Sequence, residues 1–140
     1  MILILTDQDQ KIIFQHLEEC YPEEGCGFLV GKFSGQEKSV LEIHPVKNTK
    51  QETRERRYFI DPKDFMEVEV KARKQNLEIV GIYHSHPDHP SKPSEFDRTH
   101  AWPWYSYVVV AVEKGRSKEL TSWVLSEDSK KFIPEEIRKE

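Results

Sequence analysis

Short hydrophobic runs recur along the chain and predict a sheet of several strands. The runs are rich in valine, isoleucine and aromatic residues, which favour extended backbone, and turn residues separate them. They cover residues 2–5, 26–32, 39–46, 78–83, 105–113 and 120–125. The segment from Lys131 onward is highly charged, so we predict a tail in which Phe132 and Ile133 dock against the rest of the chain.

Two segments show the apolar spacing of amphipathic helices. The first is predicted from Thr6 or Asp7 to about Tyr21, and its apolar face comprises Ile12, Ile13, Leu17 and Cys20. The second begins with Asp61 as N-cap and Pro62 at the first helical position, a common helix start. Strands and helices that follow one another in this way predict an α/β fold.

Residues 48–56 lie between the predicted strand at 39–46 and the second helix, and they are polar and highly charged without periodicity. This composition predicts a loop. The chain of 140 residues is long enough to bury a core and points to one domain over residues 1–140.

One stretch concentrates side chains that can bind a metal. If the run before it continues as a strand, the period of two places His84 and His86 on one face of the sheet. Prolines then end the strand, and Ser94 with Asp97 forms the start of a helix. Two imidazoles and one carboxylate suit zinc, and three protein ligands leave a fourth coordination position open, as in catalytic sites.

Each of these residues also has an ordinary structural explanation. An isolated His-x-His at a strand end is weak evidence for a metal, and a Ser94–Asp97 helix cap is worth about 1 kcal/mol without any ligand role. The combination of the two motifs favours the metal site. Asp88 and His89 are alternative ligands, but they fall in a proline-bounded loop where no regular structure sets their direction.

His84-Ser85-His86-Pro87, followed at a short distance by Ser94-Glu95-Phe96-Asp97, resembles the signature of the JAMM (MPN+) metalloproteases. That family also requires a glutamate upstream, close to a Cys-Gly pair, and Glu24 occupies that place before Cys26-Gly27. Residues 57–62 are also similar to the small stand-alone prokaryotic members. The resemblance therefore covers essentially the whole chain.

The resemblance implies a single JAMM/MPN domain, with a mixed curved β-sheet flanked by helices like that of cytidine deaminases. It implies one zinc ion bound by His84, His86 and Asp97, with Glu24 as the general base that takes a proton from bound water. Ser94 is expected to donate a hydrogen bond to the developing oxyanion. The role of Ser94 as a helix cap uses the same hydroxyl, and the sequence leaves open which of the two roles Ser94 has.

The resemblance also implies a substrate, the peptide or isopeptide bond after the C-terminal Gly-Gly of a ubiquitin-like or sulfur-carrier protein. Such a tail is extended and can add to a sheet edge near the site. One alternative is a catalytically inactive MPN scaffold or interaction module, which the presence of all five site residues disfavours. The other is a DNA-repair-associated JAMM-like protein, which typically carries His-Asn-His-Pro-Ser-Gly at the motif.

Composition indicates the kind of partner and the cellular compartment to expect. A net charge of −4 without a long basic tract disfavours a nucleic-acid partner. No apolar stretch approaches membrane length, and the two free cysteines fit a reducing compartment, so a cytoplasmic protein is expected. The segment Trp102-Pro103-Trp104-Tyr105 fits a peptide groove, a homodimer contact or core packing equally well.

Overall fold

The computed structural model describes residues 1–50 and 57–140, and these residues form seven strands and three helices. The strands are β1 (Ile2–Leu5), β2 (Cys26–Ser34), β3 (Glu37–Val46), β4 (Glu78–Pro87), β5 (Ser106–Glu113), β6 (Arg116–Leu125) and β7 (Phe132–Lys139). The helices are α1 (Asp7–Cys20), α2 (Pro62–Lys74) and α3 (Glu95–Thr99). All predicted strands and helices are confirmed. Of the predicted loop over 48–56, residues 51–56 lie outside the described residues.

The strands form one mixed sheet that closes into a barrel in the order β1-β3-β2-β4-β5-β6-β7. The β4–β5, β1–β3 and β1–β7 pairs are parallel, and the other neighbours are antiparallel. The α/β class and the mixed sheet are therefore confirmed. The sheet differs from the expectation in one respect, because it closes on itself where a curved sheet was predicted.

Closure depends on β7, so the interpretation of this segment as a charged tail is wrong. β7 pairs with β6 on one side and with β1 on the other. Glu135 is buried, Phe132 and Ile137 are half-buried, and the other side chains of β7 are exposed. Because a charged residue takes the buried position at its centre, the strand lacks the alternation of apolar and polar residues that sequence analysis relies on.

Helices α1 and α2 pack against the sheet, and capping residues set where they begin. Thr6 caps α1 by accepting a hydrogen bond from the backbone N–H of Asp9 at 3.1 Å. Ile13 and Leu17 of α1 are buried in the larger core cluster, whereas Ile12 is 36% exposed and does not belong to the predicted buried face. Among the described residues, no helix is both long and apolar enough to cross a bilayer.

A buried polar network ties the barrel together. The ammonium group of Lys38 on β3 lies 3.5 Å from Glu135 Oε2 on β7, and both side chains are fully buried. Lys38 also donates to Ser106 Oγ at 2.8 Å. The hydroxyls of Ser106 and Ser122 donate to Glu135 Oε1 at 2.6 and 2.8 Å. Four strands therefore share one carboxylate, whose burial is compensated by a cation and two hydroxyl donors.

Candidate metal centre

The C-terminal end of β4 and the first turn of α3 bring His84, His86 and Asp97 together. The histidines share a face because they are two residues apart on a strand. Asp97 approaches them from the first turn of α3. Nε2 of His84, Nε2 of His86 and Oδ2 of Asp97 lie 3.2 Å from one another. All three residues are buried, and these atoms form the one group among the described residues that could hold a metal ion.

The dimensions and chemistry of this triangle fit zinc. Ligand atoms about 2.0–2.1 Å from a tetrahedral zinc ion lie about 3.3 Å from one another. Nδ1 of His86 lies 2.9 Å from the carbonyl oxygen of Pro90, which can only accept, so Nδ1 carries the proton and Nε2 of the neutral ring presents a lone pair. That lone pair faces a carboxylate oxygen at 3.2 Å, an arrangement that a cation between them stabilises.

The third ligand candidate is held by the helix cap. The backbone N–H of Ser94 donates to Asp97 Oδ2 at 2.8 Å, and the backbone N–H of Asp97 donates to Ser94 Oγ at 3.1 Å. The oxygen that completes the cap is the one that faces the histidines. Ser94 uses a lone pair of its hydroxyl in the cap, so its O–H is available as a donor. The predicted competition between capping and oxyanion binding therefore does not arise.

Electrostatics keep the carboxylate of Asp97 ionised. Burial alone would raise the pKa of Asp97, but the charge of His84 and the hydrogen bond from the Ser94 backbone N–H hold that pKa well below its usual range. Burial alone would lower the pKa of His84, yet Asp97 and then Glu24 outweigh burial and raise it. The centre is therefore an ion-pairing site in which the anionic groups favour a cation.

Glu24 lies beside this triangle, in the connection between α1 and β2. It precedes Cys26 by two residues, and Cys26 pairs directly with His84 across the β2–β4 ladder. Glu24 is 4% exposed, and its Oε1 has no hydrogen-bond partner among the described residues. Burial raises the pKa of Glu24 to about 7, while His84 and Arg57 act in the opposite direction. A buried carboxylate with a free oxygen can accept a proton here.

Two concave surfaces meet at the triangle. An open cleft of about 570 Å³ is lined by Glu24, His86, His89, Pro90, Lys92 and Ser94. A groove of about 360 Å³ reaches Asp97 from another side and is largely aromatic, with Tyr58, Phe59, Phe65, Phe96, Trp102 and Tyr107 among its lining residues. Trp102 and Trp104 are about half exposed, so core packing is wrong for both, whereas Tyr105 is buried.

The alternative ligands lie outside the triangle. Asp88 accepts hydrogen bonds from the hydroxyl of Tyr21 at 2.6 Å and from the backbone N–H of Lys114 at 2.8 Å. His89 lines the open cleft but does not join the group that could hold a metal. His100 packs its ring against Phe96, with ring centroids 4.2 Å apart.

Sequence analysis missed two residues that shape the site. The ring of Tyr58 stacks on the imidazole of His84, with centroids 4.6 Å apart. The side-chain amide of Asn48 donates to the carbonyl oxygens of Glu24 and Arg57, each at 3.0 Å. Asn48 and Tyr58 border a polar segment without periodicity, so no local pattern marks either residue. The resemblance over residues 57–62 includes Tyr58 but assigned it no role in the site.

The fold and the site together define the class, an α/β barrel with a candidate metal centre at the end of a central strand. Residues 7–126 match the model of the prokaryotic homologs of the JAB domain. The chain therefore belongs to this family, the small prokaryotic branch of the JAMM/MPN proteins.

Two curated relatives are each named desampylase. The protein from Pyrococcus furiosus is 36% identical over 107 residues, which are 76% of this chain and 70% of the relative. The protein from Haloferax volcanii is 36% identical over 89 residues, which are 63% of this chain and 62% of the relative. The matched segment thus spans slightly less than two thirds of the Haloferax protein.

Two solution structures resemble the whole chain. A protein from Desulfitobacterium hafniense superposes with a TM-score of 0.86 at 27% identity, covering 100% of this chain and 93% of that protein. A protein from Salinibacter ruber superposes with a TM-score of 0.75 at 37% identity, covering 98% of this chain and 90% of that protein.

Proposed function

We propose that this chain is a zinc-dependent hydrolase that cleaves the peptide or isopeptide bond after the C-terminal Gly-Gly of a ubiquitin-like or sulfur-carrier protein. A single domain over residues 1–140 carries the site. The observation that supports the reaction is a buried carboxylate, Glu24, with a free oxygen beside a 3.2 Å triangle of metal-binding atoms. The family and the relatives named desampylase support removal of a ubiquitin-like modifier.

Each site residue has a separate role in the proposed hydrolysis. His84, His86 and Asp97 hold the metal, which when bound supplies Lewis acidity that polarises a carbonyl and lowers the pKa of water to about 7. Glu24 takes the proton of the attacking water and returns it to the leaving amine. Burial raises the pKa of Glu24, and the charge of a bound metal would act in the opposite direction and keep the carboxylate ionised until it takes that proton. The Ser94 hydroxyl donates to the developing oxyanion, a contribution of roughly 3 kcal/mol.

The shape of the site supports an extended substrate. The β2–β4 ladder ends at the Cys26–His84 pair, so His86 and Pro87 have a strand partner only in β5, and the addition of the tail to a sheet edge near the site stays a prediction. In this proposal the tail lies along the open cleft and the aromatic groove, past Tyr58 and Phe96. The aromatic lining of the groove suits apolar side chains that precede the Gly-Gly, and the glycines add no side chain where the tail passes Asp97.

Two fusions of a ubiquitin-like protein ending in Gly-Gly test the proposal, one joined to a peptide N-terminus and one to a lysine side chain. The purified protein is incubated with each fusion, and the products are identified by mass. We expect cleavage after the second glycine, loss of cleavage with a zinc chelator, and recovery when zinc is restored. Uncleaved fusions in the presence of fully zinc-loaded protein would contradict the proposal and favour an inactive scaffold.

A further inference from the structure

The loop between β4 and α3 is fastened to β6, a strand on the far side of β5 from the histidines. Ser91 in this loop is 2% exposed, although its neighbours Pro90 and Lys92 are exposed. Its carbonyl oxygen accepts a hydrogen bond from Thr121 Oγ1 at 2.5 Å. Its hydroxyl donates to a carboxylate oxygen of Glu119. The carbonyl oxygen and the hydroxyl of Ser91 are therefore both hydrogen-bonded to side chains of β6.

The side chains of β6 that make these bonds share one face of the strand. Glu119, Thr121 and Trp123 are two residues apart, which places them on the same side. The indole N–H of Trp123 donates to Thr121 Oγ1 at 2.8 Å. A hydroxyl has one proton, and with the indole as its donor Thr121 directs that proton to the Ser91 carbonyl. Its contact with the Val109 carbonyl oxygen is longer, at 3.4 Å.

The residue before Ser91 contacts a candidate metal ligand. The carbonyl oxygen of Pro90 lies 2.9 Å from Nδ1 of His86. The ring of Pro90 fixes the φ angle of this residue, and the two hydrogen bonds of Ser91 fix the residue that follows. The carbonyl group between them, that of Pro90, therefore has little freedom to rotate. A carbonyl in this position selects the His86 tautomer with the proton on Nδ1 and leaves Nε2 for the metal.

We propose that Ser91, Thr121 and Glu119 form a latch that orients the His86 ring for metal binding. These are positioning residues, because they act through the Pro90 carbonyl. The proposal rests on the metal site and does not depend on the reaction or its substrate.

The latch acts on the ring of His86 and not on its backbone. The β4–β5 ladder already holds that backbone, with His86 in register with Ala111. The ring direction is a separate degree of freedom, which the Pro90 carbonyl controls. Loss of the latch is therefore expected to weaken metal binding while the barrel stays folded. Ligand partners of this kind typically change metal affinity by about 10- to 100-fold.

The test compares Thr121→Val, which keeps the shape but removes the hydroxyl, with Thr121→Ser, which keeps the hydroxyl. Zinc affinity is measured by competition with a chromophoric chelator. We expect Thr121→Val to bind zinc about 10- to 100-fold more weakly and Thr121→Ser to bind like the wild type. Thr99→Val, at an exposed position of α3, makes the same chemical change away from the latch and should also bind like the wild type. Ser91→Ala, which loses only the bond to Glu119, provides a second and milder variant.

A second readout needs no metal. In ¹⁵N-labelled, metal-free protein, the Nδ1 proton of His86 should exchange slowly with solvent in the wild type and in Thr121→Ser, and faster in Thr121→Val. Wild-type zinc affinity together with unchanged proton exchange in folded Thr121→Val and Ser91→Ala would overturn the latch. If the wild type bound no zinc, the proposed metal site would fail, and the proton exchange alone would decide the latch.

Discussion

Gly25 and Ser85 exchange two hydrogen bonds: the N–H of Ser85 donates to the Gly25 carbonyl at 3.1 Å, and the N–H of Gly25 donates to Ser85 Oγ at 2.8 Å. Ser85 lies between the two histidines and points away from them, so its hydroxyl is free to bind the neighbouring segment. This contact brings Glu24, the residue before Gly25, to the end of β4. Residues far apart in the chain thus share one site.

Replacement of Glu24 by glutamine should abolish turnover and preserve metal binding. Glutamine has nearly the same shape but cannot take up the proton of the attacking water. Loss of a general acid–base group typically lowers the rate by about 10²- to 10⁴-fold. Turnover of a Gly-Gly fusion and zinc content, measured on the same preparation, check this expectation.

Glu23→Gln is the matched control, because it makes the same chemical change one residue away from the buried position. We expect turnover close to that of the wild type. A Glu24→Gln protein that retained full zinc and wild-type turnover would rule out Glu24 as the general base.

Loss of either of two ligands should lower zinc occupancy. His84→Ala removes one nitrogen of the 3.2 Å triangle, and Asp97→Ala removes its oxygen together with half of the α3 cap. We expect both proteins to retain well below one equivalent of zinc after dialysis, measured by elemental analysis. His89→Ala, which lies in the cleft but outside the triangle, should retain the wild-type amount. Full occupancy in both ligand variants would refute the assignment.

Substitutions of Ser94 can separate its hydroxyl donor from its capping role. Ser94→Ala should cost about 1 kcal/mol of stability and Ser94→Gly only a few tenths, because glycine is tolerated at the N-cap. Both lose the donor, so both should lose turnover by about 10²- to 10³-fold. Urea unfolding and turnover are measured for each. If turnover followed stability, with Ser94→Gly close to the wild type, Ser94 would act only as a cap.

The metal-free protein should lose stability as the pH rises towards neutral because of Glu24. Burial raises the pKa of Glu24 from 4.5 to about 7, so between these values the folded state holds more protons than the unfolded chain. The stabilisation is fully present below about pH 4.5 and is lost as the pH rises through about 7. This shift in the pKa of Glu24 corresponds to a loss of roughly 3 kcal/mol in the free energy of unfolding.

Chelator-treated wild type and Glu24→Gln are compared by urea unfolding in acidic and in slightly alkaline buffer. Both proteins contain His84, so its titration contributes to the stability of each. The difference between their free energies of unfolding therefore reports the titration of Glu24. We expect the wild type to gain stability relative to the variant on acidification. A difference that does not change with pH would show that Glu24 does not titrate in this range.

The buried pair of Lys38 and Glu135 should be costly to break from one side only. Lys38→Met leaves the Glu135 carboxylate buried without its cation, with an expected cost of about 3–5 kcal/mol. Adding Glu135→Gln removes the charge and keeps an acceptor for the serine hydroxyls, so most of the stability should return. Arg138→Met, which breaks a half-exposed pair with Glu37, should cost at most about 1 kcal/mol. Equal costs for Lys38→Met and Arg138→Met in urea unfolding would contradict this account.

Local patterns in the sequence identified most of the elements correctly. Thr6 and Asp61 mark the starts of α1 and α2 because each caps its own helix within a few residues. The period of two likewise placed His84 and His86 on one face, because both residues lie on one strand and are only two positions apart. Features that depend on neighbours along the chain could thus be predicted from the sequence, and the resemblance to a known family supplied Glu24.

Only the tertiary structure decided how the sheet closes and what surrounds the candidate metal centre. β7 escaped prediction because the partner of its buried Glu135 is Lys38, 97 residues away, and a charge at a core position makes sense only with its counterion. The bonds of Ser91 to Thr121, and the stacking of Tyr58 on His84, likewise join segments that no local pattern connects. The sequence alone determined which residue types are the candidate ligands and placed them on a strand and at the start of a helix. The folded barrel decided which distant side chains orient them, because those contacts exist only after the chain has closed.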